Sequence, residues 1–171
     1  MENEEVTFVT PEAPYPFVDG EDAAFSWGPF VPMDSEVFNQ AFLKLDDYIT
    51  DLRDFLHSKY KIEQTWLMGF SQGAYNGYIL ALKNPDDFDG LIACGGGLVT
   101  DVLTPKDYKK AKDMKIIISH GTSDKVVAYE EASKAYTILD KAGFKNLRLD
   151  QFEGAHTVSP NAFKLFLDWI K

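Results

Sequence analysis

Ser71, held between glycines in Gly69-Phe70-Ser71-Gln72-Gly73, is the first residue whose setting could do chemistry. The GxSxG spacing is that of a nucleophile elbow, a strained turn between strand and helix that lifts a serine hydroxyl above a sheet edge. Residues 65–70 form an apolar, β-prone run and residues 72–83 read as a helix stopped by Pro85, so the motif sits at the junction it requires. At the amino end of a helix the macrodipole and free N–H groups favour developing negative charge. The backbone N–H of Gln72 is therefore a candidate oxyanion donor.

A serine hydroxyl is a poor nucleophile at neutral pH and needs a general base, itself oriented by an acid. The chain has three histidines. His57 falls at the last turn of a long helix, where a cation suits the dipole. His120 closes a strand beside Gly121 and reads as a satisfied structural histidine next to the site. His156, in FEGAHTVSP, follows the last strand and so reaches the sheet edge that carries Ser71; it is the candidate base. Asp124, in ISHGTSDKVV, follows the preceding strand at the same edge and is the candidate acid, with Asp101, further along a Gly-rich loop, as its rival. The order Ser71, Asp124, His156 is that of the α/β-hydrolase arrangement. No cluster of His, Cys, Asp or Glu has metal-ligand spacing, and this chemistry requires neither metal nor cofactor.

The elements that must position these residues alternate along the chain. Val6 to Thr10 reads as a short strand, followed by a Pro- and aromatic-rich segment with turn chemistry and no period, read as a long loop. Ser35 is a good N-cap for a long amphipathic helix with apolar residues from Phe38 to Leu56. Strands at 65–70, 91–94, 115–119 and 147–152 then alternate with helices at 72–83, from Thr104-Pro105, at 128–142 ending at Gly143, and from Ser159-Pro160. Short apolar strands alternating with helices imply a mostly parallel sheet covered on both faces, with reactive groups beyond the carboxyl ends of the strands. Between Cys94 and Lys115 there is room only for a short helix, so no large cap domain is expected and the pocket should be open. Tyr15, Phe17 and Trp27, from the aromatic loop, are the candidate pocket wall, suited to short or medium acyl groups.

With 171 residues the chain most simply forms one domain, 1–171. A net charge of −10 argues against nucleic acid or anionic membrane surfaces as partners. Cys94 is the only cysteine, the amino terminus MENEEV has no targeting character, and no apolar run approaches the roughly 20 residues needed to cross a bilayer. A cytoplasmic protein without integral membrane association, acting on a small-molecule or acylated substrate, is the expectation.

The motifs GFSQGA, HGTSDKVV and GAHTVSP, with TPEAPYP before the long helix, resemble the phospholipase/carboxylesterase family of α/β-hydrolases, which includes acyl-protein thioesterases. The resemblance runs from about Val6 to the end. It implies a three-layer α/β sandwich with Ser71 as nucleophile, Asp124 as acid and His156 as base, hydrolysing carboxylic esters or thioesters. It also implies an earlier strand ending in a His-Gly motif whose loop supplies a second oxyanion donor. The only His-Gly here, His120-Gly121, belongs to the acid loop, so an N-terminally shortened sheet is expected. Three sources of that donor stay open: residues before Met1, another chain, or VTFVT pairing directly with the Ser71 strand and donating near Thr10 and Glu12. An unpaired central strand would favour a homo-oligomer. The rival to a serine esterase is a catalytically weak or inactive hydrolase-fold protein that binds or assembles; a phosphate-binding flavodoxin-like domain fits less well, because the glycines flank a serine rather than forming a P-loop.

Overall fold

The computed structural model describes residues 6–19, 22–28 and 36–170. In chain order they form β1 (Tyr15–Asp19), β2 (Asp22–Ser26), α1 (Glu36–Lys59), β3 (Trp66–Phe70), α2 (Gln72–Lys83), β4 (Gly90–Cys94), α3 (Pro105–Ala111), β5 (Lys115–Gly121), α4 (Tyr129–Lys141), β6 (Leu147–Phe152) and α5 (Pro160–Trp169).

Four strands make a parallel sheet in the order β3-β4-β5-β6. Because each strand lies beside its predecessor in one direction, right-handed crossovers place the three connecting helices on one face. On that face Leu91, Ala93, Ile116 and Ile118 pack with residues of α1, α2, α3 and α4 in the larger core. The alternate residues Ile92, Cys94 and Ile117 point the other way, onto Ala162 and Phe166 of α5. Side chains thus partition between the faces with the period of two that a pleated strand imposes. The result is the three-layer arrangement expected from the alternating elements.

Local chemistry explains the helix boundaries. Thr104 caps α3 with a reciprocal capping box to Asp107, and Pro105 follows where its missing N–H costs nothing. Ser159 accepts from the N–H of Asn161, again with Pro at the first turn of α5. α4 ends at the positive-φ Gly143. The proposed N-cap Ser35 lies outside the described residues.

Two expectations are corrected. Val6 to Thr10 is not a strand; it runs without ladder partners along α5, with Val6 against the smaller core and the Phe8 ring 5.8 Å from that of Phe163. β-branched residues suit a pleated, half-buried surface, but without a neighbouring edge no strand results. The aromatic segment, read as a loop, contains the antiparallel hairpin β1-β2, with Tyr15 opposite Ser26. Accordingly VTFVT does not pair with β3, and Glu12 lies near α1, its carbonyl accepting from Tyr48 Oη at 3.4 Å. Among the described residues β3 is bonded only to β4. No described helix is long and apolar enough to cross a membrane.

Candidate active site

The register aligns Phe70, Cys94, Ser119 and Asp150 across the sheet, so the segments following the four strands emerge at one edge. Ser71 comes directly after β3, Asp124 shortly after β5 and His156 after β6.

Ser71 has φ 53° and ψ −118° and is the only non-glycine with positive φ among the described residues. Such a conformation costs on the order of 1–3 kcal/mol and persists only where surrounding contacts hold it. Those contacts are visible: Ser71 N–H donates to Cys94 O at 2.9 Å, and its carbonyl accepts from Ala74 N–H at 2.9 Å and Tyr75 N–H at 3.3 Å. Gly69 is required because a Cβ there would lie 2.1 Å from the carbonyl oxygen of Gly73, where helix crosses strand. Although Ser71 occupies the N-cap position of α2, its side chain makes no capping bond, which leaves the hydroxyl free for another partner. Gln72 opens α2, so its N–H has no intrahelical acceptor.

Asp124 is held from three sides. Its Oδ1 accepts from the N–H groups of Val126 at 2.8 Å and Val127 at 2.9 Å, closing the turn after β5. Its Oδ2 lies 2.6 Å from His156 Nδ1 and 3.3 Å from His120 Nε2. The Asp124 side chain is 1% exposed and that of His156 17%. Burial pushes the Asp124 carboxyl up, but the His156 hydrogen bond and the N–H groups of Val127 and Val126 outweigh it and hold the carboxyl below the usual carboxylate range. The two loops are tied by backbone bonds from Thr122 N–H to Phe152 O and Ser123 N–H to Gly154 O, each 2.9 Å.

His156 also meets the elbow. Its ring packs on that of Phe70, the residue before Ser71, with centroids 4.6 Å apart. Gly95, at φ +59°, passes beside both rings: a Cβ there would come within 3.0 Å of Phe70 and 3.3 Å of His156. Among the described residues no hydrogen bond joins Ser71 Oγ to His156. In unliganded sites such bonds are often long and tighten only with substrate.

Three side-chain features escaped the sequence. Gln72 Oε1 accepts from Trp27 N–H at 2.9 Å and lies 3.0 Å from Ser26 Oγ, which clamps the end of β2 onto the residue after Ser71. Phe70 supports the His156 ring. His120, expected to be satisfied, has an Nδ1 without a hydrogen-bond partner among the described residues. Only the last had a signal, the four-residue spacing from His120 to Asp124.

The remaining residues fall as follows. Trp27 lies beside the elbow, its indole nitrogen 4.0 Å from where a Cβ on Gly73 would stand. Tyr15 Oη donates to Ala41 O at 3.5 Å and so leans on α1. Phe17 stands on β1, and its side chain lies outside the described residues. Asp101 is exposed and, among the described residues, accepts a bond from Thr100 Oγ1 alone, at 3.2 Å. His57 pairs with Thr65 Oγ1 at 2.8 Å and borders a cavity of about 420 Å³ with Arg53, Asp86 and Lys110, away from Ser71. No group of His, Cys, Asp or Glu able to hold a metal occurs among the described residues.

A parallel sheet clothed by helices, with an elbow serine and an Asp-His pair beyond its carboxyl edge, has the architecture of α/β-hydrolase esterases. The chain belongs to the phospholipase/carboxylesterase family, which it matches over residues 1–171. It is 28% identical over 148 residues to acyl-protein thioesterase 1 of Eremothecium gossypii, a match covering 85% of this chain and 62% of that protein. The chain thus spans less than two-thirds of that relative's length. Among solved structures it is similar to esterase PE8 (25% identity, TM-score 0.72, covering 95% of this chain and 76% of that one). It is also similar to a phospholipase/carboxylesterase from Dyadobacter fermentans (27%, TM-score 0.65, 85% and 71%). Zea mays acyl-protein thioesterase 2, at 17% identity and TM-score 0.69 over 94% of this chain and 78% of that one, shares the fold.

Proposed function

We propose that this protein is a serine hydrolase that cleaves carboxylic esters or thioesters. The observation that carries the reading is the 2.6 Å Asp124-His156 bond beside a serine held at positive φ. In this reading His156 takes the Ser71 Oγ proton as the oxygen attacks the acyl carbon, and Asp124 stabilises the imidazolium. The N–H of Gln72 donates to the oxyanion. His156 then gives its proton to the departing alcohol or thiol, and water, deprotonated by the same imidazole, releases the acid from the acyl-enzyme.

Trp27 beside the elbow supports an aromatic pocket wall, and a β4–α3 connection too short for a cap domain supports an open pocket suited to short to medium acyl chains. A clear preference for long-chain over acetyl or butyryl esters would contradict that part. The reading as a whole is tested by p-nitrophenyl butyrate hydrolysis and fluorophosphonate labelling, with Ser71→Ala as control.

One observation favours a second reading, a catalytically weak member that works by binding. β3 has a hydrogen-bonded neighbour on one side only among the described residues. Without a second oxyanion donor from the other side, the rate would fall by about two to three decades. Turnover that depends on Ser71 but stays near that reduced level would support this reading.

A further inference from the structure

We propose that His120 is a positioning residue for Asp124, acting as a neutral imidazole whose Nε2–H donates to the carbonyl of Val127 and lies against the carboxylate oxygen that bonds His156. This rests on the serine-hydrolase reading for its kinetic consequence, but the geometry stands without it.

His120 is fully buried at the end of β5. Its Nε2 lies 2.9 Å from Val127 O and 3.3 Å from Asp124 Oδ2. Both neighbours are acceptors, so Nε2 carries a proton. Nδ1 is buried and has no hydrogen-bond partner among the described residues, so a second proton there would be an unsatisfied donor. The neutral Nε2–H tautomer meets both conditions. Asp124 Oδ2 is then bonded to His156 at 2.6 Å and faces the Nε2–H of His120 at 3.3 Å.

This arrangement holds Val127, whose N–H with that of Val126 fixes Asp124 Oδ1, and it sets the Nε2–H dipole beside Oδ2. From α4, the Tyr129 ring lies edge-on to His120 with centroids 6.1 Å apart, and its hydroxyl donates to Gln151 Oε1 on β6 at 2.7 Å. From α2, Tyr75 is held above the usual phenol range by burial, then by the charges of Glu131 on α4 and of Asp124. On β6, the Asp150 carboxylate accepts from Ser119 Oγ at 2.8 Å and Asn161 Nδ2 at 2.7 Å. Among the described residues none of these donates to Asp124 Oδ2.

His120→Phe keeps the ring and removes the donor; His120→Gln returns an N–H near the Nε2 position. His120→Phe should lower kcat for p-nitrophenyl butyrate by roughly 10- to 100-fold, the scale of a misplaced catalytic group. KM should stay nearly unchanged. His120→Gln should recover most of the rate. A folded His120→Phe with unchanged kcat, or Phe and Gln variants equally impaired, would overturn the proposal. Histidine ¹⁵N NMR of the unmodified protein gives a test independent of turnover: His120 should be neutral with its proton on Nε2 at pH 7, and a charged or Nδ1–H imidazole refutes the assignment. If Ser71-dependent turnover is absent, the hydrolase reading fails while the NMR result still decides the role of His120.

Discussion

His156 Nδ1 and Asp124 Oδ2 lie 2.6 Å apart, although their residues come from loops after two different strands. The carboxylate is almost wholly buried and the ring is partly open, so the pair has a dry side and a side open to solvent. If it serves as base and acid, Asp124→Asn should lower kcat by about 10⁴-fold, because the amide favours the wrong histidine tautomer. Steady-state kinetics on p-nitrophenyl butyrate check this, with KM expected to change little.

The depressed Asp124 ionisation also makes a prediction about stability. Its folded value lies below that of the unfolded chain, about 3.9, so the ionised carboxylate contributes stability that is full above that value. That contribution is lost as pH falls from about 4 through the folded value. Urea midpoints measured from pH 6 to pH 3 should decline more steeply for the wild type than for Asp124→Asn. Parallel declines would contradict the assignment.

Cys94 should be chemically silent in the native protein. Burial, and then the nearby Asp150 charge, push its thiol up to about 12, against about 8.5 for a free thiol. Ellman's reagent at pH 8 should leave the native protein unmodified and titrate one thiol in urea. By the same linkage, stability from this group is full below about pH 8.5 and is lost as pH rises toward the folded value.

Gly69→Ala tests the crossing that holds the elbow. The new Cβ would meet the Gly73 carbonyl oxygen at 2.1 Å, and backbone on both sides leaves little room to relax. A loss of about 3 kcal/mol is expected from urea unfolding, at the upper end of overpacking costs. A variant as stable as wild type would show that β3 and α2 do not cross so closely.

The parts of the fold set by periodicity were legible in the chain. α1, the four parallel strands and the helices between them announce themselves through apolar spacing, Pro at helix starts and Gly143 at a helix end. The β1-β2 hairpin was not, because Pro16 and the Ala23-Ala24 pair lack the alternation that marks a strand, while Val6 to Thr10 has that look but packs against α5 instead of a strand. At the site, the GxSxG turn and the chain order of serine, aspartate and histidine led to residues that the sheet does gather at one edge. Side-chain traffic between distant segments left no local trace: nothing near Gln72 says that its amide will meet Ser26 and Trp27, and nothing near Phe70 says that it will support His156.

The central claim is that Ser71 is a nucleophile. Mass spectrometry of the protein treated with a fluorophosphonate should find one adduct on the peptide containing Ser71, absent in Ser71→Ala together with hydrolysis of p-nitrophenyl butyrate. An unlabelled Ser71, or esterase activity that survives Ser71→Ala, would contradict it.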